Sequence, residues 1–436
     1  MNLITFSTLL LSFTTKYCFS STLELGENFS ELRKGGGYWL IKFYAPWCGY
    51  CRQLSPLWDE IGEALSKTNI NVGRIDCSQN SKIVKEFGIH GFPTIKFITS
   101  DNDYTFHGER NKDEIIQFAT RISGPPVQII SSAKYLSYVK SLNDICFVYV
   151  GDLKGDLWDI FYNISRKLQP YANFYAINEI LTKEVETITT VPTVFVYKEN
   201  RALFFLGDPT KFKDVTRLNS SLSKWMNEER FKTFQKVTYG NLPELIQLNK
   251  YILLLVVDEK NINENMSRVI SKVENLARHK KVKYKNFVFG WIGTPELGNS
   301  ITSMNLQLPY LFVLNSTNYE YHIPDADCME MTSDDMEMFI DEVNNQLLPS
   351  YGGYGIAACL YRAYFDTKTS AIELWREKPL LSSIMLAAPL LYIIFICYSL
   401  CFALVDTEEG DEEEEFDDED EEYEEEVENS KYMAKI

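Results

Sequence analysis

Two cysteines three positions apart, in Ala45-Pro46-Trp47-Cys48-Gly49-Tyr50-Cys51, are the residues best suited to do chemistry. The run Trp39 to Ala45 reads as a buried strand, and Cys51 to Ser66 carries Leu54, Leu57, Trp58, Ile61 and Leu65 at helical spacing. The pair therefore falls where a strand hands over to a helix. There the first sulfur meets unsatisfied N–H groups and the positive end of the helix dipole, which favours thiolate over thiol. Cys48 becomes the nucleophile that forms a mixed disulfide, and Cys51, one turn on, resolves it. A structural disulfide and half of a zinc site are the alternatives. Zinc needs a second ligand pair, and outside the apolar stretch near the C-terminus no other Cys or His pair stands at ligand spacing, so no metal is expected.

The surrounding elements complete one α/β domain over residues 21–123. Asn71 to Asp76 reads as a strand, Lys82 to Phe87 as a helix ended by Gly88, Thr94 to Thr99 as a strand after Pro93, and Asp113 to Ile122 as a closing helix before Gly124-Pro125-Pro126. The pattern of a proline followed at once by an apolar strand recurs at Val191-Pro192-Thr193 and Leu308-Pro309-Tyr310. These prolines lie 99 and 117 residues apart, each about one domain length. This spacing divides the following chain into units at 126–235 and 236–350, the alternative being that proline before a strand is only an edge device. Both units lack a CxxC. Gly352-Gly353-Tyr354-Gly355 opens a linker over 351–379.

Composition places this chemistry beside a membrane. The 436 residues carry a net charge of −18, but residues 406–436 alone hold −16, which leaves the remainder nearly neutral. The low pI thus belongs to a tail, and no basic nucleic-acid surface, phosphate loop or HExxH motif exists. Leu380 to Val405 is a chargeless stretch of 26 residues, long enough to span a bilayer. Residues 1–20 read as a signal peptide cleaved after Ser20, an uncleaved anchor being the alternative. Cleavage sets residues 21–379 as lumenal and 406–436 as cytosolic, although Arg376 and Lys378 oppose the positive-inside rule. Sequons at Asn28, Asn163, Asn219, Asn265 and Asn315 all fall on the lumenal side, where glycosylation takes place. The acidic tail reads as a disordered, solvated spacer, with a segment that binds calcium or a basic adapter as the alternative.

The APWCGYC motif, Gly91-Phe92-Pro93-Thr94 placed so that Pro93 falls 45 residues after Cys48, and three repeated units before a span resemble the protein disulfide isomerase family. The resemblance covers nearly the whole chain. It implies three tandem thioredoxin-like α/β domains, one redox-active and two inert, followed by a single transmembrane helix and the acidic tail. It implies residence in the endoplasmic reticulum membrane, single-pass type I, although the C-terminal Met-Ala-Lys-Ile does not match the family's di-lysine signal. Clients would be nascent secretory or membrane proteins with thiols or disulfides, and no cofactor is needed beyond the Cys48–Cys51 dithiol. Pro93 would be cis and contact the substrate backbone, Arg110 would swing toward the second cysteine, and Trp47, Gly49 and Tyr50 would frame the pair. Three residues depart from the family. Tyr50 replaces a histidine, which should make the site a weaker oxidant. Lys42 replaces a buried acid, and Arg74 stands in place of that acid's lysine partner, so slower resolution by Cys51 is expected.

The competing function is a membrane-bound holdase or tether in which the dithiol only traps clients. Cys77 and Cys146 are expected to pack as small hydrophobes. Cys328 and Cys359 either pair or stay free, and Cys401 is either a palmitoylation site or a thiol buried in the span. Trp158, Tyr162, Phe204, Phe205 and Trp225 are either core or a peptide-binding face.

Overall fold

The structure is a computed structural model that describes residues 22–178, 188, 190–205 and 214–410. The signal peptide 1–20 and most of the acidic tail lie outside the described residues, as does the side chain of Cys401. Two bodies divide the chain: residues up to 353 without 299–305, and residues 299–305 with those from 354 onward.

In the first body, with residues 299–302 of one helix counted to the second, the chain forms three α/β units in series. The first runs β1 (Leu23–Leu25), α1 (Phe29–Lys34), β2 (Tyr38–Tyr44), α2 (Gly49–Leu65), β3 (Ile70–Asp76), α3 (Ser81–Glu86), β4 (Thr94–Ile98), β5 (Asp103–Thr105) and α4 (Lys112–Ser123). Its sheet has the order β1-β3-β2-β4-β5. β2 is central because its apolar residues are covered on both faces: Leu40 packs with Leu54, Trp58 and Phe118, while Ile41 and Phe43 pack with Phe29, Ile83 and Phe87. β2 runs parallel to β3 and antiparallel to β4. Each element expected from the sequence is present to within one or two residues. The helix begins at Gly49 and not at Cys51, because Cys48 in extended conformation caps it.

The second unit runs β6 (Gln128–Ile130), α5 (Ala133–Leu142), β7 (Ile145–Val150), α6 (Asp156–Leu168), β8 (Asn173–Ile177), β9 (Thr193–Lys198), β10 (Arg201–Phe204) and α7 (Val215–Glu229), with sheet order β10-β9-β7-β8-β6. The third runs β11 (Phe234–Val237), α8 (Leu242–Ile246), β12 (Tyr251–Val256), α9 (Glu264–Lys280), β13 (Phe287–Ile292), α10 (Pro295–Thr302), β14 (Tyr310–Asn315), β15 (Glu320–His322), α11 (Ser333–Asn344) and β16 (Tyr351–Gly352), in the order β11-β13-β12-β14-β15-β16. Both repeat the first unit's central parallel pair and antiparallel neighbour. All three prolines of the repeated pattern follow a cis peptide bond. Trp158, Phe205 and Trp225 pack on one core of the second unit and Phe204 on the other, so these aromatics are structural; Tyr162 stays partly exposed.

The strand pairings correct two boundaries. Phe234 and Gln235 pair with Phe289 and Gly290 in the third sheet, so that unit begins before residue 236. Tyr351 and Gly352 pair with Tyr321 and Glu320, so the third unit ends after residue 350. The region expected as a linker is mostly α12 (Ile356–Glu377), followed by α13 (Pro379–Gly410). Leu360, Tyr361, Tyr364, Ile372 and Trp375 recur at helical spacing along α12. Within α13, Ser382–Ser399 is long and apolar enough to cross a membrane, and its described apolar side chains from Leu390 to Phe395 are uncovered.

Salt bridges and hydrogen bonds join the three units. The Arg121 guanidinium of α4 donates to the carbonyls of Gln169 and Pro170, and Gln169 returns its amide to the carbonyls of Arg121 and Gly124 at 2.7 and 2.9 Å. Glu229 of α7 accepts from Lys281 of the third unit at 2.6 Å and from buried Lys198 at 3.2 Å. Arg230 pairs with Glu244 at 2.5 Å and stacks on Tyr171 and Phe231.

Candidate active site

The site is assembled from the C-terminal end of β2, the start of α2 and the segment that enters β4. Beyond Tyr44 the chain turns through Ala45–Trp47, the turn closed by the Cys48 N–H on the Ala45 carbonyl at 3.1 Å. Cys48 then occupies the N-cap of α2, and its sulfur accepts the Cys51 N–H at 3.2 Å. An amide donor at this distance favours negative charge on that sulfur, and the helix dipole adds to it. Cys48 and Cys51 are joined as a disulfide with Cα atoms 5.2 Å apart. Cys48 is 8% exposed and Cys51 1%, so the first cysteine is the more accessible of the two.

β4 pairs antiparallel with β2, Phe43 opposite Thr94, and this register brings the cis Phe92–Pro93 bond against the dithiol. The Phe92 carbonyl lies 3.7 Å from Cys48 Sγ, and the Phe92 ring meets Trp47 edge-on at 5.9 Å. Trp47 and Tyr50 flank the disulfide and are each 71% exposed, a rim of aromatic surface around a small reactive opening. The Arg110 guanidinium donates to the Pro93 carbonyl at 3.0 Å. Trp47, Cys48, Gly49, Tyr50, Cys51, Pro93 and Arg110 thus fall within one neighbourhood.

Lys42 lies beneath α2, 1% exposed. Its Nζ donates to Ser55 Oγ at 3.1 Å, and that hydroxyl donates in turn to the Cys51 carbonyl at 3.0 Å. Burial is the main cause that lowers its pKa to about 8, with Arg74 adding to the effect and Asp59 and Glu24 opposing it. Arg74 pairs with Glu24 at 2.5 Å and approaches Asp59 at 3.7 Å. Glu24 also accepts the Tyr44 hydroxyl at 2.9 Å. Sequence reasoning did not find Glu24, Ser55 or Asp59, and it quoted Phe92 only as part of the motif around Pro93. Only Ser55 left a signal, its place one helical turn after Cys51.

Among the described residues, Cys77, Cys146, Cys328, Cys359 and Cys397 are free cysteines. Cys77 and Cys146 are buried, and burial pushes their pKa up to about 11 and about 12. Cys328 and Cys359 are both free thiols: the first is buried with its Sγ donating to the Pro309 carbonyl at 3.0 Å, the second is exposed on α12. Four of the sequon asparagines are exposed, while Asn315 is partly buried and accepts the Thr317 N–H at 3.0 Å. Among the described residues no cluster of His, Cys, Asp and Glu could hold a metal.

A strand, a capped dithiol helix and an opposed cis-proline define a thioredoxin-type thiol–disulfide oxidoreductase site. The family model for thioredoxin matches residues 22–121, and that for a thioredoxin-like domain matches residues 150–342. Protein disulfide-isomerase TMX3 of Xenopus laevis is 33% identical over 89% of this chain and 84% of its own length. The protein of the same name from Homo sapiens is 31% identical over 90% of this chain and 84% of its length. Human protein disulfide-isomerase A4 is 32% identical over 30% of this chain and 20% of its length. The chain belongs to the protein disulfide-isomerase family.

Proposed function

We propose that this chain is a membrane-anchored oxidoreductase of the endoplasmic reticulum, its three α/β units lumenal, which exchanges disulfides with nascent secretory and membrane proteins. The dithiol at the start of α2, with Cys48 the more exposed of the two cysteines, carries this reading. A client thiolate attacks Cys48, the Cys48–Cys51 bond breaks, and the Cys51 sulfur leaves as a thiolate. A second client thiolate then attacks the client sulfur of the mixed disulfide and releases Cys48 as a thiolate. The client gains a disulfide, and the site takes up two electrons. With the site reduced, the same steps run in reverse.

The exposed rings of Trp47 and Tyr50 supply apolar contact for an extended client segment, and the polar backbone at Phe92–Pro93 supports its alignment. Arg110, tethered to Pro93, supplies a positive charge beside the dithiol. The acidic tail 406–436 faces the cytosol in this topology, where it suits a basic partner or calcium.

Cys51→Ala in the full chain is expected to accumulate mixed disulfides with clients, and Cys48→Ser to give none. Equal trapping by both variants overturns the assignment of the attacking sulfur. A Cys48→Ser, Cys51→Ser variant that still protects clients from aggregation as well as the parent supports the holdase function in its place. Titration of residues 22–124 in a glutathione series fixes the direction: a potential near the lumenal poise supports oxidation or isomerisation, and a much more negative one supports reduction.

A further inference from the structure

The loop from Phe106 to Arg110 is held from two sides. On its own side, Phe106 packs edge-on against Phe118 at 5.2 Å, Glu109 gives its N–H to the Glu114 carboxylate at 2.7 Å, and Asn111 gives its N–H to the Glu109 carbonyl at 2.8 Å. From the other side comes the third unit, which has no dithiol. Lys236 of β11 reaches across to the Glu109 carboxylate at 3.0 Å while also holding Glu259 at 2.8 Å and lying over the Trp291 ring at 5.2 Å. Four residues further on, a Cβ at Gly240 would stand 2.6 Å from the His107 carbonyl oxygen. The two backbones meet there without room for any side chain.

These contacts end one residue from Arg110, whose guanidinium holds the Pro93 carbonyl. Pro93 in turn follows the carbonyl that lies against Cys48 Sγ. An unbroken series of contacts therefore runs from Gly240 and Lys236 through His107, Glu109, Arg110 and Pro93 to the reactive sulfur.

We propose that the third unit is a brace for the active site, in which Lys236 and Gly240 are positioning residues that keep the Arg110 loop, and through it the client-facing Phe92–Pro93 segment, in place against Cys48. The inference deepens the oxidoreductase function proposed above and rests on it. Glu109 and Lys236 are partly exposed, with side chains 44% and 27% accessible. A pair of this kind contributes ~0.2 to 1 kcal/mol, which corresponds to roughly 1.5- to 5-fold in a rate. Gly240→Val meets backbone and not a flexible side chain, so it forces the units apart and removes both contacts at once.

The test is mixed-disulfide formation by the full chain in detergent micelles, with a fluorescence-quenched peptide carrying two cysteines as the probe. Lys236→Met and Glu109→Gln should each slow the reaction two- to fivefold, mainly by raising KM. Their double variant should be no slower than either one, and Lys236→Arg should restore the rate. Raising salt from 0.05 to 0.5 M should slow the parent toward the variants and leave the variants unchanged, because an exposed pair is screened. Gly240→Val should be slower than Lys236→Met, and Gly240→Ser intermediate. If Arg110→Gln slows the reaction while Lys236→Met, Glu109→Gln and Gly240→Val all match the parent, the brace is overturned and the oxidoreductase function stands. Additive effects in the double variant also overturn it. If Cys48→Ser reacts as fast as the parent, the function itself falls, and the brace with it.

Discussion

Replacing Lys42 with methionine should make the first unit more stable, by an amount that depends on pH. A lysine that titrates near 8 in the fold instead of 10.5 is disfavoured in its charged form by about 3 kcal/mol. Methionine is of similar length, fills the space beneath α2 and carries no charge. Against the gain stands the lost hydrogen bond to Ser55, worth about 1 kcal/mol; Ser55 keeps its bond to the Cys51 carbonyl, and a methionine thioether replaces the ammonium beside the Tyr44 and Trp58 rings. The net expectation at pH 7 is about 2 kcal/mol, or an increase of about 1 M in the urea midpoint for a domain of this size. The sign of the pH dependence follows from linkage. The folded pKa of Lys42 is depressed, so between 8 and 10.5 the unfolded chain binds more protons and the parent gains stability with rising pH. The advantage of Lys42→Met is therefore full below pH 8 and gone by about 10.5. The assay is urea unfolding of oxidised residues 22–124, whose two core clusters lie wholly within the unit. A variant no more stable than the parent at pH 7, or an advantage unchanged between pH 7 and 10.5, refutes the reasoning.

Three further outcomes follow from the same geometry. Lys42→Glu should speed single-turnover reoxidation several-fold, since a carboxylate can accept the Cys51 proton and an already protonated lysine cannot; an unchanged rate removes Lys42 from the resolving step. Gly73→Ala places a Cβ 2.5 Å from Leu25 Cδ1 and 3.2 Å from the Leu23 carbonyl, so it should loosen β1 from β3 and cost about 2 kcal/mol in the same urea assay. Glu229→Gln leaves Lys198 buried without its carboxylate and should cost roughly 3 kcal/mol, read as a lower thermal midpoint of the full chain.

The catalytic unit was legible because its signals are local. An apolar run marks β2, helical spacing marks α2, and the cysteines mark the join, which is where Cys48 and Cys51 stand in the structure. The repeated proline before a strand located the two inert units for the same reason. What escaped detection was either short or non-local. β11 has only four residues, and its role as a strand depends on pairing with β13, more than fifty positions on. Gly352 and Gly353 read as the start of a linker, yet they adopt positive φ at 82° and 88°, and a helix begins a few residues later. Glu24 and Asp59 come from β1 and α2, and only the parallel register of β1, β3 and β2 brings them to Arg74. The contact of Gly240 with His107 joins residues from different units and leaves no pattern in either.

Lys42 is linked to the Cys51 backbone through the Ser55 hydroxyl, and its charge state is expected to set how readily Cys51 loses its proton. The sequence suggested two cations in place of an ion pair. In the structure the counter-charges are present but displaced: Glu24 and Asp59, both about half exposed, hold Arg74 near the sheet edge, and Lys42 meets the Ser55 hydroxyl and the Tyr44 and Trp58 rings in place of a carboxylate. With a pKa of about 8, about one tenth of Lys42 is neutral at pH 7, and only that fraction can act as a base. Cys51 is 1% exposed, so water has poor access to its proton. Resolution of a mixed disulfide should therefore be slow at pH 7 and should rise through an apparent pKa near 8 as Lys42 loses its charge. Lys42→Met removes that titrating group and should leave a profile set by the Cys51 thiol alone. Rapid-quench alkylation of the Cys48 mixed disulfide between pH 6 and 9 measures the rate directly. The same inflection near 8 in Lys42→Met would assign it to the thiol and show that the lysine takes no part in moving the proton.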